Sequence, residues 1–314
     1  MADCLYIVVP CYKEEAVLPE TASRLKVKMN NLISDGKCSD NSKIMFVNDG
    51  STDRTWAIIR ELHEGNSLFC GINLSRNRGH QNALLAGLMT AKEHADVVIS
   101  MDADLQDDIE AVDAMLEEYA KGNDIVYGVR NKREKDSFFK RFTAEGFYKL
   151  MRLMGVDIVF NHADYRLMSK RALDGLEEFG EVNLFLRGLV PLIGFNSSKV
   201  YYERAERFAG ETKYPLKKML FFAFEGATSL SIRPIRMIST VGLLSFLTSF
   251  GFLIYSVIDF IRGGTVAGWA STMVSIWAIG GLQLLAIGVV GEYIGKIYLE
   301  TKARPRYIIK DLLL

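Results

Sequence analysis

Neither sign of charge prevails in this 314-residue sequence: Lys and Arg total 38, Asp and Glu total 38, and the net charge is +0. A chain-wide basic field for nucleic acid is thereby excluded, and any basic patch is local. Cysteine is scarce. Cys4, Cys11, Cys38 and Cys70 lie in the first quarter without a CxxC pair or a histidine at zinc-like spacing, which argues against a disulfide framework and for reduced thiols in a cytosolic domain. The four histidines, His63, His80, His94 and His162, form no HExxH; they read as surface or loop residues, with His80 close to the candidate site. No GxGxxG follows the first apolar run and no GxxxxGK[ST] occurs, so neither a Rossmann dinucleotide site nor a P-loop is supported. The opening, "MADCLYIVVPCYKEE", has too short an apolar run and no basic flank for a signal peptide. Internal repeats and low-complexity linkers are absent as well.

Long apolar runs are present, and they lie late. Between Arg236 and Asp259 there are 22 residues without a formal charge, and between Arg262 and Glu292 there are 29 more. Each exceeds the roughly 20 helical residues needed to cross a hydrocarbon core. A buried soluble hairpin of that length would carry a polar stripe, and none is seen. Arg233 and Arg236 precede the first run, Lys296, Lys302, Arg304 and Arg306 follow the second, and the connector has only Arg262. The positive-inside rule then puts both termini and the main domain in the cytoplasm of a multi-pass inner-membrane protein, with a small external loop near residues 259–268 and Tyr255, Trp269, Trp277 and Tyr293 as interfacial anchors.

The first 230 residues alternate short β-rich runs with helical patterns. Strands are expected at 5–9, 43–47, 68–74, 97–101 and 125–129, and helices at 20–32, 53–63, 81–93 and 107–121. That rhythm predicts an α/β fold with a doubly wound, mainly parallel sheet, whose ligands bind beyond the carboxyl ends of its strands. The loops there read "PCYKEE", "NDGSTDRT", "SRNRGHQ", "DADLQDD" and "GVRNKRE".

In "NDGSTDRT", Asn48, Asp49 and Gly50 form a turn and Ser51 is placed to cap a helix starting near Asp53; Asp49 is also placed to accept from a base or ribose. An ordinary turn explains the motif alone. With Pro10, Tyr12 and Glu14 at the same edge, a stacking ring and a ribose-binding carboxylate come together. In "MDADLQDD", strand alternation sends Asp102 and Asp104 to one side, where they can share a hard divalent cation, Mg2+ or Mn2+, with Gln106 adding a neutral oxygen. Asp107, Asp108 and Glu110 read as acids in a helix's first turn. Arg76 and Arg78 are equally well read as phosphate contacts or as solvated loop residues.

"VVPCYKEE", "FVNDGSTDRT" and "MDADLQDD" resemble the signatures of family 2 glycosyltransferases, inverting enzymes of the GT-A fold. The two apolar runs, "HADYRLMSK" and "ERFAGETKYPLKKM" are similar to the polyisoprenyl-phosphate glycosyltransferase branch, which includes undecaprenyl-phosphate glucosyltransferases and dolichol-phosphate mannose synthases. The resemblance implies nucleotide contacts at Pro10, Tyr12, Glu14, Asp49 and Asp102. It implies a metal and diphosphate site at Asp102, Asp104 and Gln106, and catalytic roles for Asp104 and for Asp164, the latter as a base or as an orienting group for Arg166. Asn48 stands where many relatives have an acid. It further implies a nucleotide-sugar donor, UDP-linked by analogy, a polyprenyl phosphate acceptor such as undecaprenyl phosphate, and a homo-oligomer such as a tetramer.

The basic residues before the first apolar run suit either anionic headgroups or the acceptor, with Arg130, Arg133, Arg207 and Lys213 as the grip on the lipid phosphate. Residues 217–232 read as an interfacial helix. The expected organisation is a catalytic domain over 1–213, an interfacial segment over 214–235, a transmembrane hairpin over 236–292 and a basic cytosolic tail over 293–314. Processive polysaccharide synthases share such a nucleotide domain, but their usual Q-x-x-R-W stretch and additional spans are missing. A catalytically silent membrane scaffold is disfavoured by the intact Asp102 and Asp104 pair.

Overall fold

The computed structural model describes residues 2–130, 162–182, 184–203, 233–262 and 268–314. Arg133, Arg207, Lys213 and the expected interfacial helix lie outside them. Two compact units emerge. The first holds an eight-stranded sheet together with the last residues of the chain, Arg304–Leu314; the second holds two long helices.

The sheet is built from β1 (Leu5–Cys11), β2 (Lys43–Asn48), β3 (Phe69–Leu74), β4 (Val97–Ser100), β5 (Ile125–Arg130), β6 (His162–Ser169), β7 (Ser197–Tyr202) and β8 (Ile309–Leu313), in the order β7-β5-β6-β4-β1-β2-β3-β8. Pairings around β1 are parallel, as are β2 with β3 and β5 with β7; β6 runs antiparallel to both β4 and β5, and β8 antiparallel to β3. The sheet is therefore mixed, with a parallel centre. All seven residues of β1 and all six of β3 are buried, the near-continuous apolar runs of strands covered on both faces.

Helices α1 (Leu18–Ser34), α2 (Thr55–Gly65), α3 (His80–Ala91), α4 (Ala111–Ala120), α5 (Lys170–Glu177) and α6 (Leu186–Leu192) complete the first unit. In α1 the buried face is Leu18, Thr21, Ala22, Leu25, Lys28, Met29 and Leu32, a three-and-four spacing. Each leucine so buried stabilises the fold by about 1.5–3 kcal/mol. Helix α3 approaches the sheet closely through Gly87, where a Cβ would meet Val8 Cγ1 at 2.4 Å and Val47 Cγ2 at 2.7 Å.

Two local expectations fail. Strand β4 stops at Ser100 and α4 starts only at Ala111, so the acidic stretch 101–110 is a turn-rich loop with Leu105 at φ 56°. Asp107 is not in a helical first turn. Nor does Ser51 cap α2, which begins at Thr55 without a side-chain cap bond; Ser51 Oγ instead accepts from Lys13 N at 3.0 Å. All four cysteines are free thiols.

The second unit comprises α7 (Arg233–Ile261) and α8 (Trp269–Thr301). Both expose large apolar side chains, among them Leu243, Leu247 and Ile261 on α7 and Leu284, Ile287 and Ile294 on α8. Among the described residues one segment, Ile279–Thr301, is long and apolar enough to cross a membrane.

Candidate active site

Four loops meet at the carboxyl ends of β1, β2, β3 and β4, and each is tied to a neighbour through its backbone. Tyr12 and Lys13 follow β1; Tyr12 is 44% exposed and Lys13 takes a left-handed φ of 58°. The Lys13 amide donates to Ser51 and the Glu14 amide to Thr55 Oγ1 at 3.0 Å, fastening the first loop to the second. The second loop is fastened to the third by Asp49, whose Oδ1 accepts from Arg78 N at 2.7 Å and Oδ2 from Gly79 N at 2.9 Å. Asp49 is buried, with both carboxylate oxygens committed to main-chain amides, so its evident work is to hold the "SRNRG" loop. Pro10 lies buried within β1. Arg78 Nε is buried and has no partner among the described residues, a donor lacking an acceptor.

The acidic loop after β4 is anchored from α1, where Thr21 Oγ1 donates to the Ala103 carbonyl at 2.9 Å. That bond fixes the residue between Asp102 and Asp104. Asp104 Oδ1 accepts the Gln106 amide at 3.2 Å, and Gln106 itself is buried. Desolvation pushes the Asp102 carboxyl up to about 6; His80 opposes the rise, and the charges of Asp107, Asp164 and Asp104 add to it. A partly desolvated carboxylate among three others calls for positive charge. Among the described residues no group of three or more His, Cys, Asp or Glu is arranged to hold a metal. The two carboxylates are hard oxygen donors that suit Mg2+ or Mn2+ when ligand oxygens and water complete the shell.

Opposite that loop stands Asp164 on β6, which antiparallel pairing with β4 brings alongside. Asp164 is buried. Its Oδ1 accepts from Arg166 Nη2 at 2.6 Å, and its Oδ2 accepts from Arg187 Nη2 at 3.1 Å and lies 3.5 Å from His80 Nε2. His80 Nε2 is also 3.6 Å from Asp102 Oδ1, so this one imidazole bridges the two acidic centres. Burial would raise the Asp164 carboxyl, but Arg187, His80 and Arg166 outweigh it and hold the group well below the usual carboxylate range. A carboxylate held so low is a weak proton acceptor.

A third cluster joins Asp107, Tyr202 and Arg130. The Tyr202 hydroxyl donates to Asp107 Oδ1 at 2.5 Å and accepts from Arg130 Nε at 3.1 Å, while Arg130 Nη2 lies 3.4 Å from the same carboxylate oxygen. Asp107 Oδ2 is buried and has no hydrogen-bond partner among the described residues. Arg130 thus reaches the edge of the acidic loop, whereas Arg133, Arg207 and Lys213 are outside the described residues.

Sequence reasoning missed Arg187, Asp107 and Tyr202 as parts of the site. Nothing local in "FLRGLV" marks Arg187; it arrives because Leu186 N donates to Gln81 Oε1 at 2.9 Å, joining the starts of α6 and α3. The "DDIE" run, Asp107 to Glu110, did hold a signal, since it sets three acids close together shortly after a buried strand.

Residues 6–176 match the family described as Glycosyl transferase family 2. Over 305 residues the chain is 53% identical to the uncharacterized glycosyltransferase YkoT of Bacillus subtilis (strain 168), covering 97% of this chain and 90% of that protein. It is 40% identical over 309 residues to the bactoprenol glucosyl transferase of Shigella phage SfX, covering 97% and 98%. Among solved structures, glucosyl-3-phosphoglycerate synthase from Mycobacterium tuberculosis, in complex with Mn2+, UDP and phosphoglyceric acid, is 17% identical with a TM-score of 0.46 over 73% of this chain and 77% of that one. With the family match spanning every acidic loop described above and near-full-length relatives beyond it, the chain belongs to glycosyl transferase family 2 and is a glycosyltransferase.

Proposed function

We propose that this enzyme transfers a hexose or N-acetylhexosamine from a nucleotide sugar, UDP-linked, to undecaprenyl phosphate or a similar polyprenyl phosphate at the cytoplasmic face of the membrane, with inversion at the anomeric carbon. The observation that carries the reading is the extent of the likeness to proteins named bactoprenol glucosyl transferase, which covers 97% of the chain and so includes α7 and α8 as well as the sheet. The uncovered apolar side chains of those helices support a pair of membrane spans.

In this reading Tyr12 stacks on the base, Glu14 meets the ribose, Pro10 shapes the pocket wall, and Asp49 acts through the loop it holds. Arg78 Nε supplies a donor to a diphosphate oxygen. Asp102 and Asp104, with Gln106 beside them, would hold Mg2+ or Mn2+, which when bound offsets charge growing on the departing diphosphate. The acceptor is a phosphate monoester with a second pKa of about 6, already anionic at neutral pH. No base is required to create the nucleophile, and positioning carries the step. Asp164 accordingly orients Arg187 and His80 at the site's edge, and Arg130 attracts the acceptor phosphate, joined by Arg133, Arg207 and Lys213. In-line attack by the phosphate oxygen on an α-linked donor forms the new C–O bond as the nucleoside diphosphate leaves, giving a β-linked sugar.

The test is direct. Purified full-length protein is incubated with undecaprenyl phosphate, Mg2+ or Mn2+, and a panel of nucleotide sugars, and lipid products are identified by mass spectrometry. A polyprenyl phosphate sugar that disappears in Asp104→Ala supports the reading; transfer only to a soluble or protein acceptor overturns it.

A further inference from the structure

Three amides and a carboxylate form a row across the edge of the sheet that leads from the last strand into the nucleotide loops. Asn48 and Asn73 are register partners on β2 and β3, and Asn73 is in turn paired with Asp311 on β8. Directly opposed residues on neighbouring strands project to the same face. The side chains are bonded in sequence: Asn73 Nδ2 donates to Asp311 Oδ2 at 2.7 Å, Asn48 Nδ2 donates to Asn73 Oδ1 at 2.8 Å, and Ser51 N donates to Asn48 Oδ1 at 3.3 Å. The row ends where Ser51 Oγ receives the Lys13 amide beside Tyr12.

The polarity of this row is set at its outer end. A carboxylate only accepts, so Asp311 makes Asn73 present its amide nitrogen outward and its oxygen to Asn48. Asn48 must then turn its own nitrogen toward Asn73 and its oxygen toward the Ser51 amide. Asn48 and Asn73 are buried, at 1% and 7% exposure, so neither can exchange a wrong orientation for water. The same tail also touches the third loop, where Ser75 N donates to the Ile308 carbonyl at 2.9 Å, and it is fastened to the end of the α5 region by Arg306 on the Phe179 carbonyl.

We infer that Asp311, on the strand that follows the apolar helices in sequence, is a positioning residue for the donor nucleotide: it fixes the orientation of Asn73 and Asn48 and through them the "NDGS" turn and the Tyr12 loop. Strand β8 lies beyond the family match, which ends at residue 176. The inference rests on the reading of these loops as the nucleotide site.

Reversing the polarity is the decisive experiment. In Asp311→Lys the ammonium only donates, so Asn73 and Asn48 flip and an amide nitrogen faces the Ser51 N–H. Asn73→Asp alone sets two carboxylates against each other. Combining N73D with D311K restores the original order, because the new carboxylate accepts from both Asn48 and the lysine.

Binding of UDP with Mn2+ is measured calorimetrically on the full-length protein in detergent, with the melting temperature of each variant and with KM for the donor and kcat. D311N, which keeps an acceptor, is expected to bind within about twofold of wild type, and D311A, D311K and N73D about tenfold more weakly. The double variant should recover to within about threefold, the losses appearing in donor KM with kcat little changed. Should D311K not fold, D311A against D311N carries the comparison. Wild-type binding by D311K or D311A, or a double variant that melts normally yet binds no better than its parents, overturns the inference. Failure of the wild-type protein to bind UDP, GDP or CDP instead overturns the nucleotide reading beneath it.

Discussion

Gly50 meets two demands at once. Its φ is 61°, and a Cβ there would lie 2.4 Å from the carbonyl carbon of Arg76 and 2.5 Å from Asn77 N, both main-chain atoms that cannot swing aside. The left-handed conformation alone costs a non-glycine residue about 1–2 kcal/mol, and the collision adds to it. Gly50→Ala should therefore lower the melting temperature by several degrees and abolish nucleotide binding, readable by calorimetry and thermal unfolding. Asp164→Asn is a different case, because Arg166 is 1% exposed and would keep its charge without its partner. That substitution should cost about 3–5 kcal/mol of stability, measured by denaturant unfolding, so lost activity there would not identify a base. Residue type was legible at such positions, but what each group does was not. Asp49, Ser51 and Asp107 are polar loop residues of the kinds that bind ligands or cap helices, and all three are held by distant partners: Asp49 by the amides of residues 78 and 79, Ser51 by Lys13, and Asp107 by Tyr202, which is 95 positions away.

Among elements, the central strands were readable because double-sided burial leaves unbroken apolar runs, and β1, β2 and β3 fall within two residues of their expected limits. The acidic loop was misjudged because acids suit a helix start and an open turn equally well, and the anchor that decides between them, Thr21, is on another element. The antiparallel insertion of β6 between β4 and β5 left no local trace either, although it is what brings Asp164 beside Asp102. Beyond the strand ladders, one carboxylate fastens the end of that insertion: Asp124, just before β5, accepts from Ser169 Oγ at 2.9 Å and forms an ion pair with Arg171. The Arg171 guanidinium lowers the Asp124 carboxyl, with Ser169 helping against burial. A depressed carboxylate stabilises the fold above its unfolded pKa of about 3.9, and that contribution is lost as pH falls through the lower folded value. Asp124→Asn should thus melt lower than wild type at pH 7, by an amount equivalent to about 1–2 kcal/mol since Arg171 is largely exposed, and the gap should narrow as pH falls below about 4. Melting curves across that pH range check it.

At the scale of the whole molecule, the final strand constrains what the apolar helices can do. Strand β8 is hydrogen-bonded to β3, so the chain after α8 is on the same side of any membrane as the chain before α7. Crossings between β7 and β8 must therefore come in pairs. In the proposed membrane reading a crossing by Ile279–Thr301 therefore needs a second one, and we propose α7 for it, with its 29 residues and its exposed apolar side chains. The apolar runs announced the helices; the return of the tail to the sheet could not be read from five short residues, "IKDLL", whose partner strand lies more than 230 positions earlier. A labelling experiment separates two crossings from none. Three of the four native cysteines are buried, which leaves a quiet background for a cysteine introduced in the connector. With two crossings, Thr265→Cys reacts with a membrane-impermeant maleimide in intact cells, while a tag placed after Leu314 is reached only after permeabilisation. Protection of both positions in intact cells would mean that α7 and α8 enter the bilayer without crossing it, and would remove the external loop from the account.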